Sequence, residues 1–253
     1  MPSIDSCRDF FPEPKHIPIT LLKRWSKEAT RYRFFCAEEV NKGTDCRITA
    51  QSDIYNGLWV HRINFNRKKV ADIIRFSYDN PIVSDYFQSL LSAIQPDLIH
   101  ITGFLNLSMA ILDPIKKGTI PTVFTATDYW CFCPKSNLLV FDRSLCNTAE
   151  VKSCLSCLIS LSSFYEQILK KLRISPLVLT AIFLGLGKIS GIKNNLFVKA
   201  EFALKERSYY ILEKLKNLDL IISPTPHLQG FFCARVFLQK KLCFQDMVLI
   251  LTG

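Results

Sequence analysis

The segment from Pro96 to Asp128 sets the tightest limit on how this chain can fold. PDLIHITG supplies an apolar strand, Leu98 to Ile101, that closes on Gly103; Ser108 to Lys117 has helical spacing, with Gly118 as its stop; IPTVFTATD supplies a second apolar strand, Thr122 to Ala126. Strand, helix, glycine and strand within about thirty residues make a βαβ unit. Its parallel strands are covered on both faces, so they read as continuous apolar runs rather than as alternation. The chain is therefore expected to be α/β.

The same grammar extends in both directions. Phe34 to Ala37 is a short candidate strand, and Leu58 to Phe65 another, introduced by the turn dipeptide Asn56-Gly57. Apolar residues from Ile82 to Ile94 recur at three and four, which predicts a helix with one buried stripe, Pro81 in its first turn and Pro96 beyond its end. Phe197 to Asn217 reads as a long helix rich in Lys and Glu. LDLIISPTP reads as a strand ending at Ser223, Pro226 to Phe237 as a helix, and Met247 to Leu251 as a last strand. Ligands of a doubly wound sheet sit at the carboxyl ends of its strands. Thr102-Gly103, Thr127-Asp128 and Ser223-Pro224 should then lie along one rim.

Composition narrows the partners. Of 253 residues, 32 are Lys or Arg and 22 Asp or Glu, a net charge of +10 that favours phosphorylated ligands or anionic membranes. The basic residues fall in short scattered groups (Lys23-Arg24, Arg67 to Lys69, Lys170-Lys171, Lys240-Lys241) with no nucleic-acid module, so nucleic acid is not the expected partner. Met1 to His16 is polar and broken by proline, unlike a secretory signal. Ten cysteines without such a signal point to a reducing, cytoplasmic compartment.

Two stretches depart from the α/β pattern. Cys133, Cys146, Cys154 and Cys157 fall within 25 residues, the last pair as C-x-x-C. Four thiolates from two loops suit a tetrahedral structural zinc, while buried or disulfide-capable thiols are the competing reading. Cys7, Cys36, Cys46, Cys131, Cys233 and Cys243 lack partners at metal spacing and read as packing residues. Ile174 to Gly187 is apolar apart from Ser175 and Thr180, is flanked by lysine and arginine, and is too short to span a bilayer, which needs about twenty residues. It suits either an interfacial membrane contact or a helix packed on the sheet or on a further domain.

In order and spacing, PDLIHITGFLNLS, IPTVFTATDYWCFCPKSNLL, LCNTAEVKSCLSC and LDLIISPTPHLQGFF resemble the N-terminal domain of GT-B glycosyltransferases of the family 4 type. The resemblance runs from about Tyr55 to Gly253. It implies a Rossmann-like, doubly wound parallel sheet that binds the sugar acceptor and faces a second domain holding a nucleotide-sugar, with transfer proceeding with retention. In that frame residues 1–33 are a divergent or truncated segment. Residues 34–253 are the N-terminal domain, with a cysteine-rich loop (131–157) and an apolar insert (174–187), and the C-terminal donor domain is absent. The implied catalytic residue is Asp128, and the implied acceptor-binding residues are Gly103, Thr127, Tyr129, Trp130, Lys135 and Ser223. Thr127 stands where many relatives carry histidine, and the glycine-rich loop of the family's first strand has no counterpart in Met1 to His16. Asp128 as the cap of the following turn stays open beside the catalytic role. The functional expectation is half of a retaining glycosyltransferase, inactive alone, acting on a glycan or lipid-linked acceptor in polysaccharide biosynthesis, cytoplasmic and peripheral on the inner face of the membrane. Its alternative is a non-catalytic, membrane-associated scaffold that keeps the fold.

Overall fold

In the computed structural model, which describes residues 19–26, 29–39, 47–67, 70, 72–140, 142–146, 150–161, 171, 174–189, 196–236 and 242–244, the βαβ unit forms where its pattern places it. The described elements run β1 (Ile19–Ser26), β2 (Ala29–Glu39), β3 (Thr49–Tyr55), β4 (Leu58–Asn64), α1 (Ile73–Tyr78), α2 (Pro81–Ile94) and β5 (Leu98–Ile101). A 3-10 turn over Met109–Ile111 leads into α3 (Leu112–Lys117), and β6 (Thr122–Thr125), α4 (Val151–Ser160), α5 (Pro176–Ile189), α6 (Leu196–Leu215), β7 (Leu220–Ser223), α7 (Pro226–Val236) and β8 (Leu242–Phe244) follow. The strands form one sheet in the order β3-β4-β2-β1-β5-β6-β7-β8.

The protein is mixed α/β. From β5 to β8 every pairing is parallel. On the other side the expectation of a parallel sheet is corrected: β1 runs antiparallel to both β2 and β5, and β3 antiparallel to β4, while β2 and β4 are parallel. Connection length is the reason, since antiparallel neighbours accept a tight turn and parallel ones need a crossover of a dozen residues or so. Only residues 27–28 separate β1 from β2. Asn56 and Gly57, with φ of 49° and 80°, close β3 onto β4; positive φ at both central residues is what a type I′ hairpin requires.

Helix α2 follows its periodicity. Asn80 caps it by accepting from Val83 N at 3.1 Å, Pro81 occupies the first turn, and Gln95 ends it in the left-handed region at φ 48°. The helix expected from Ser108 to Lys117 is instead split. Pro114 has no N–H to give the Ala110 carbonyl, so the first turn tightens to 3-10, and Ser84 Oγ donates to that carbonyl at 2.9 Å. Gly118 does cap α3, yet with φ −79°, and the left-handed residue is Thr119. The strand expected at Met247 to Leu251 lies outside the described residues, as do Cys7, His16 and Cys46. The main core unites Ile19, Phe35, Ile63, Phe87, Ile99, Ile101, Phe104 and Phe124 across the sheet.

Candidate functional site

Strand direction builds the rim. Because β1 is antiparallel to both β2 and β5, β2 runs parallel to β5; β4 follows β2, so β4, β5, β6 and β7 all end on the same edge. Thr127 Oγ1 donates to the Thr102 carbonyl at 2.9 Å and Ala126 N to the Ile222 carbonyl at 2.9 Å, so the three loops are strapped side by side. Gly103 has nothing within 4 Å of an added Cβ, leaving open space at the end of β5.

The predicted residues divide by burial. Thr127 is exposed, and Gly103, Asp128, Tyr129 and Lys135 are half-buried. Asp128 Oδ1 accepts from Trp130 N at 2.9 Å, which makes the carboxylate a fixed turn element just beyond the end of β6. Lys135 Nζ donates to the Leu139 carbonyl at 3.2 Å and ties down the following loop. Trp130 and Ser223 are buried and give the rim support: Trp130 packs on Phe104 with ring centroids 5.9 Å apart, and Ser223 Oγ donates to the Thr225 carbonyl at 3.0 Å, just ahead of α7.

Three rim features escape a reading of the sequence. Tyr129 OH and His227 Nδ1 share a hydrogen bond of 2.8 Å, joining the β6 loop to α7 within an aromatic group that includes Phe231. Arg67, just beyond β4, donates from Nη1 to Asn106 Oδ1 at 3.2 Å. Arg207 on α6 is only 3% exposed; its guanidinium lies over the Trp130 ring at 4.8 Å, Nη2 donates to the Trp130 carbonyl, and Nε has no hydrogen-bond partner among the described residues. Burial pushes its pKa down. Each depends on a partner distant in sequence. His100, read as a satisfied core histidine, is held by Thr125 Oγ1 at 2.8 Å, and burial lowers its pKa.

A cavity of about 890 Å³ opens beside the rim and runs between the helices. Arg67, Asn106 and Trp130 stand at the strand-end side, and Phe76, Leu155, Leu158, Leu179 and Ala200 give it an apolar wall. Helix α5, the expected apolar insert, forms part of that layer. Leu179, Thr180 and Leu184 face inward, with Thr180 Oγ1 hydrogen-bonded to Ser156 on α4 at 2.9 Å, whereas Leu177, Val178 and Ile182 are exposed. The inner face of α5 thus packs on α4 and α6 rather than on the sheet. No helix among the described residues is long and apolar enough to cross a membrane.

The four cysteines lie on neighbouring segments. Cys146 N donates to the Leu138 carbonyl at 2.7 Å, and Cys157 Sγ reaches the carbonyl of the next residue, Leu139, at 4.0 Å. Cys133 closes a turn on Tyr129, and Cys154 lies one helical turn before Cys157. The Cys154 thiol is pushed up to about 11, by burial first and then by Cys133, Cys146 and Cys157. None of the four is in a disulfide among the described residues, and no group of three or more His, Cys, Asp or Glu among them is arranged as a metal site. No family model, curated protein or solved structure matches the chain.

Proposed function

We propose that this chain is the acceptor-binding side of a retaining glycosyltransferase, a Rossmann-like, doubly wound domain of the GT-B, family 4 type, and that its acceptor is lipid-linked. The observation that carries the reading is an apolar cavity lined on one side by Arg67, Leu105, Asn106 and Trp130, which follow the strand ends that build the rim. An amphiphile fits that shape, its polar head among Gly103, Thr127 and Asp128 and its hydrocarbon chain between α4, α5 and α6. Cavities of about 300–1,000 Å³ with apolar walls and a few convergent polar groups are the usual form of a small-molecule site. Arg67 at the mouth and the net charge of +10 favour a phosphate in the linkage.

In this reading Asp128 accepts a hydrogen bond from the acceptor hydroxyl and orients its oxygen, while a second domain facing the rim holds the nucleotide-sugar. The exposed side chains of α5 bring the domain to the surface where a lipid-linked acceptor resides. Thermal-shift and NMR titrations with farnesyl-diphosphate-linked N-acetylglucosamine, and separately with UDP- and GDP-hexoses, test the assignment. Ligand at a hundred times Kd stabilises a protein by about 2.7 kcal/mol. The amphiphile should raise Tm, the nucleotide-sugars should not, and Leu158→Trp, which fills the cavity, should abolish the rise. Tight nucleotide-sugar binding by this chain, or indifference to the amphiphile, would overturn the proposal.

A further inference from the structure

Arg62 pairs with Asp53 at 3.0 Å, Arg75 with Asp79 at 3.3 Å and Lys205 with Glu201 at 2.8 Å. Arg67 does not follow them. It is half-buried and lines the large apolar cavity, and its partner is a neutral amide: Nη1 donates to Asn106 Oδ1 at 3.2 Å, and no carboxylate pairs with it among the described residues. A guanidinium only donates, so the amide presents its oxygen here, and one accepted N–H leaves the positive charge uncancelled.

The loop that carries Asn106 is firmly held. Leu107 N and Ser108 N both donate to the Phe104 carbonyl, at 3.0 and 2.9 Å, and Ser108 Oγ accepts from Asn80 N at 3.1 Å. Phe104 is buried and packs on Phe124 with ring centroids 4.9 Å apart, so the loop rests on the core. Asn106 takes φ 64°, a left-handed conformation that asparagine and aspartate tolerate better than most side chains. Aspartate would suit the same backbone and would form an ion pair with Arg67. Asparagine orients the guanidinium and leaves its charge to be met by whatever enters the cavity.

We propose that Arg67 and Asn106 make the cavity selective for amphiphiles whose hydrocarbon chain carries a phosphate ester or diphosphate. Arg67 binds the anion, and Asn106 is the positioning residue that fixes Arg67 without neutralising it. Planar guanidinium donors match phosphate oxygens two at a time. Beside apolar walls such as Phe65 and Leu105, that pairing is screened less than in open water. The inference rests on the lipid-linked acceptor reading and sharpens it, because the anion and not the chain alone then decides which lipid is taken.

The full chain is titrated calorimetrically with farnesyl diphosphate, farnesoic acid and farnesol, which share one hydrocarbon chain and differ in the head. The diphosphate should bind about tenfold to a hundredfold more tightly than farnesol, the usual yield of hydrogen bonds to a charged group, and high salt should narrow that gap. Arg67→Met and Asn106→Asp should each bring the diphosphate down to the level of farnesol and leave farnesol binding unchanged, while Arg67→Lys should keep part of the preference. Should Arg67→Met not fold, the near-isosteric Asn106→Asp and the salt series on the unaltered chain still decide. The carboxylate bound as tightly as the diphosphate would overturn the assignment to phosphate. Farnesol bound as tightly as the diphosphate, or a preference that survives Asn106→Asp, would overturn the selectivity and leave the lipid-linked reading standing. A chain that binds none of the three would take that reading down with it.

Discussion

Two surfaces leave large apolar side chains in water, and they do so differently. On the β3–β4 hairpin Ile54 is 60% exposed and Tyr55, Leu58 and Trp59 are also uncovered, yet cations attend the rings: Arg33 lies 5.5 Å from the Trp59 centroid and Arg62 lies 5.9 Å from that of Tyr55. Arg62 is in turn paired with Asp53 at 3.0 Å and Glu38 at 3.8 Å. On α5 the exposed residues are aliphatic, and none of the ion pairs or cation–π contacts among the described residues involves them. The hairpin resembles an ordinary solvated sheet edge that spends charge on its own rings, whereas α5 has one face committed to the protein and another of exposed aliphatic side chains.

The largest effect expected from this contrast is in stability. Leu184, on the inner face of α5, is buried in a satellite core with Leu155, Ala200 and Leu204. Leu184→Ala should cost about 2–4 kcal/mol in urea unfolding, and Ile54→Ala on the hairpin less than about 0.5 kcal/mol. An equal cost at Ile54 would mean that the hairpin is covered in solution, and the contrast would fail. Membrane partition comes next. Replacing Leu177, Val178 and Ile182 together by serine should reduce flotation with anionic liposomes about tenfold or more, since an interfacial helix binds through its buried apolar area. Ile54→Ser should leave flotation unchanged. Loss on the hairpin alone would assign the membrane contact to the other surface.

These two surfaces also show where the sequence is informative. The βαβ unit is legible because all its signals are local: an apolar run, a helical stripe, a glycine and a second run. The rim follows from topology once the strands are placed. Strand β3 is not legible, because TAQSDIY is exposed on both faces along nearly its whole length and so carries no alternation. Helix α4 hides because VKSCLSCLIS draws attention to its thiols rather than to its spacing. Asn56-Gly57 announces a turn, yet the strand before it is what turns that signal into a hairpin. Arg207 looks like any other cation in ALKERSYYILEKL until α6 is laid against Trp130. The cavity is a property of several helices packed together, and no single segment encodes it.

Acid should separate the two surfaces as well. His61 on β4 has its pKa lowered, by burial first and then by Arg33, and its Nδ1 is bound to Ser52 Oγ at 2.6 Å. A histidine held below its unfolded value of about 6.5 leaves stability intact above that pH. Stability is then lost as pH falls from there toward the folded value, because the unfolded chain takes up the proton first. His100 on β5 shifts the same way, so overall Tm should also drop between pH 7 and pH 5. Hydrogen exchange resolves the two contributions: protection across β3 and β4 should fall more than across α5, which has no histidine or carboxylate. His61→Gln should remove the excess loss on the hairpin. If α5 loosens as much as the hairpin, the acid response is global.

The smallest effect tests why the hairpin needs no cover. Asp53 is about a third exposed and bonds Arg62 through Nε, the leading cause of that arginine's raised pKa. Pairs of this kind contribute about 0.2–1 kcal/mol and are screened by salt. Asp53→Asn should therefore cost less than about 1 kcal/mol in urea unfolding, and high salt should shrink the difference from the unaltered chain. Arg62 would keep Glu38 and its position over Tyr55, so the ring would stay attended and the oligomeric state by light scattering would match that of the unaltered chain. A much larger cost that persisted in high salt would mean that the Arg62 network sits in a desolvated contact. The hairpin would then be an interface, and α5 would no longer be distinguished by the absence of charge beside its apolar face.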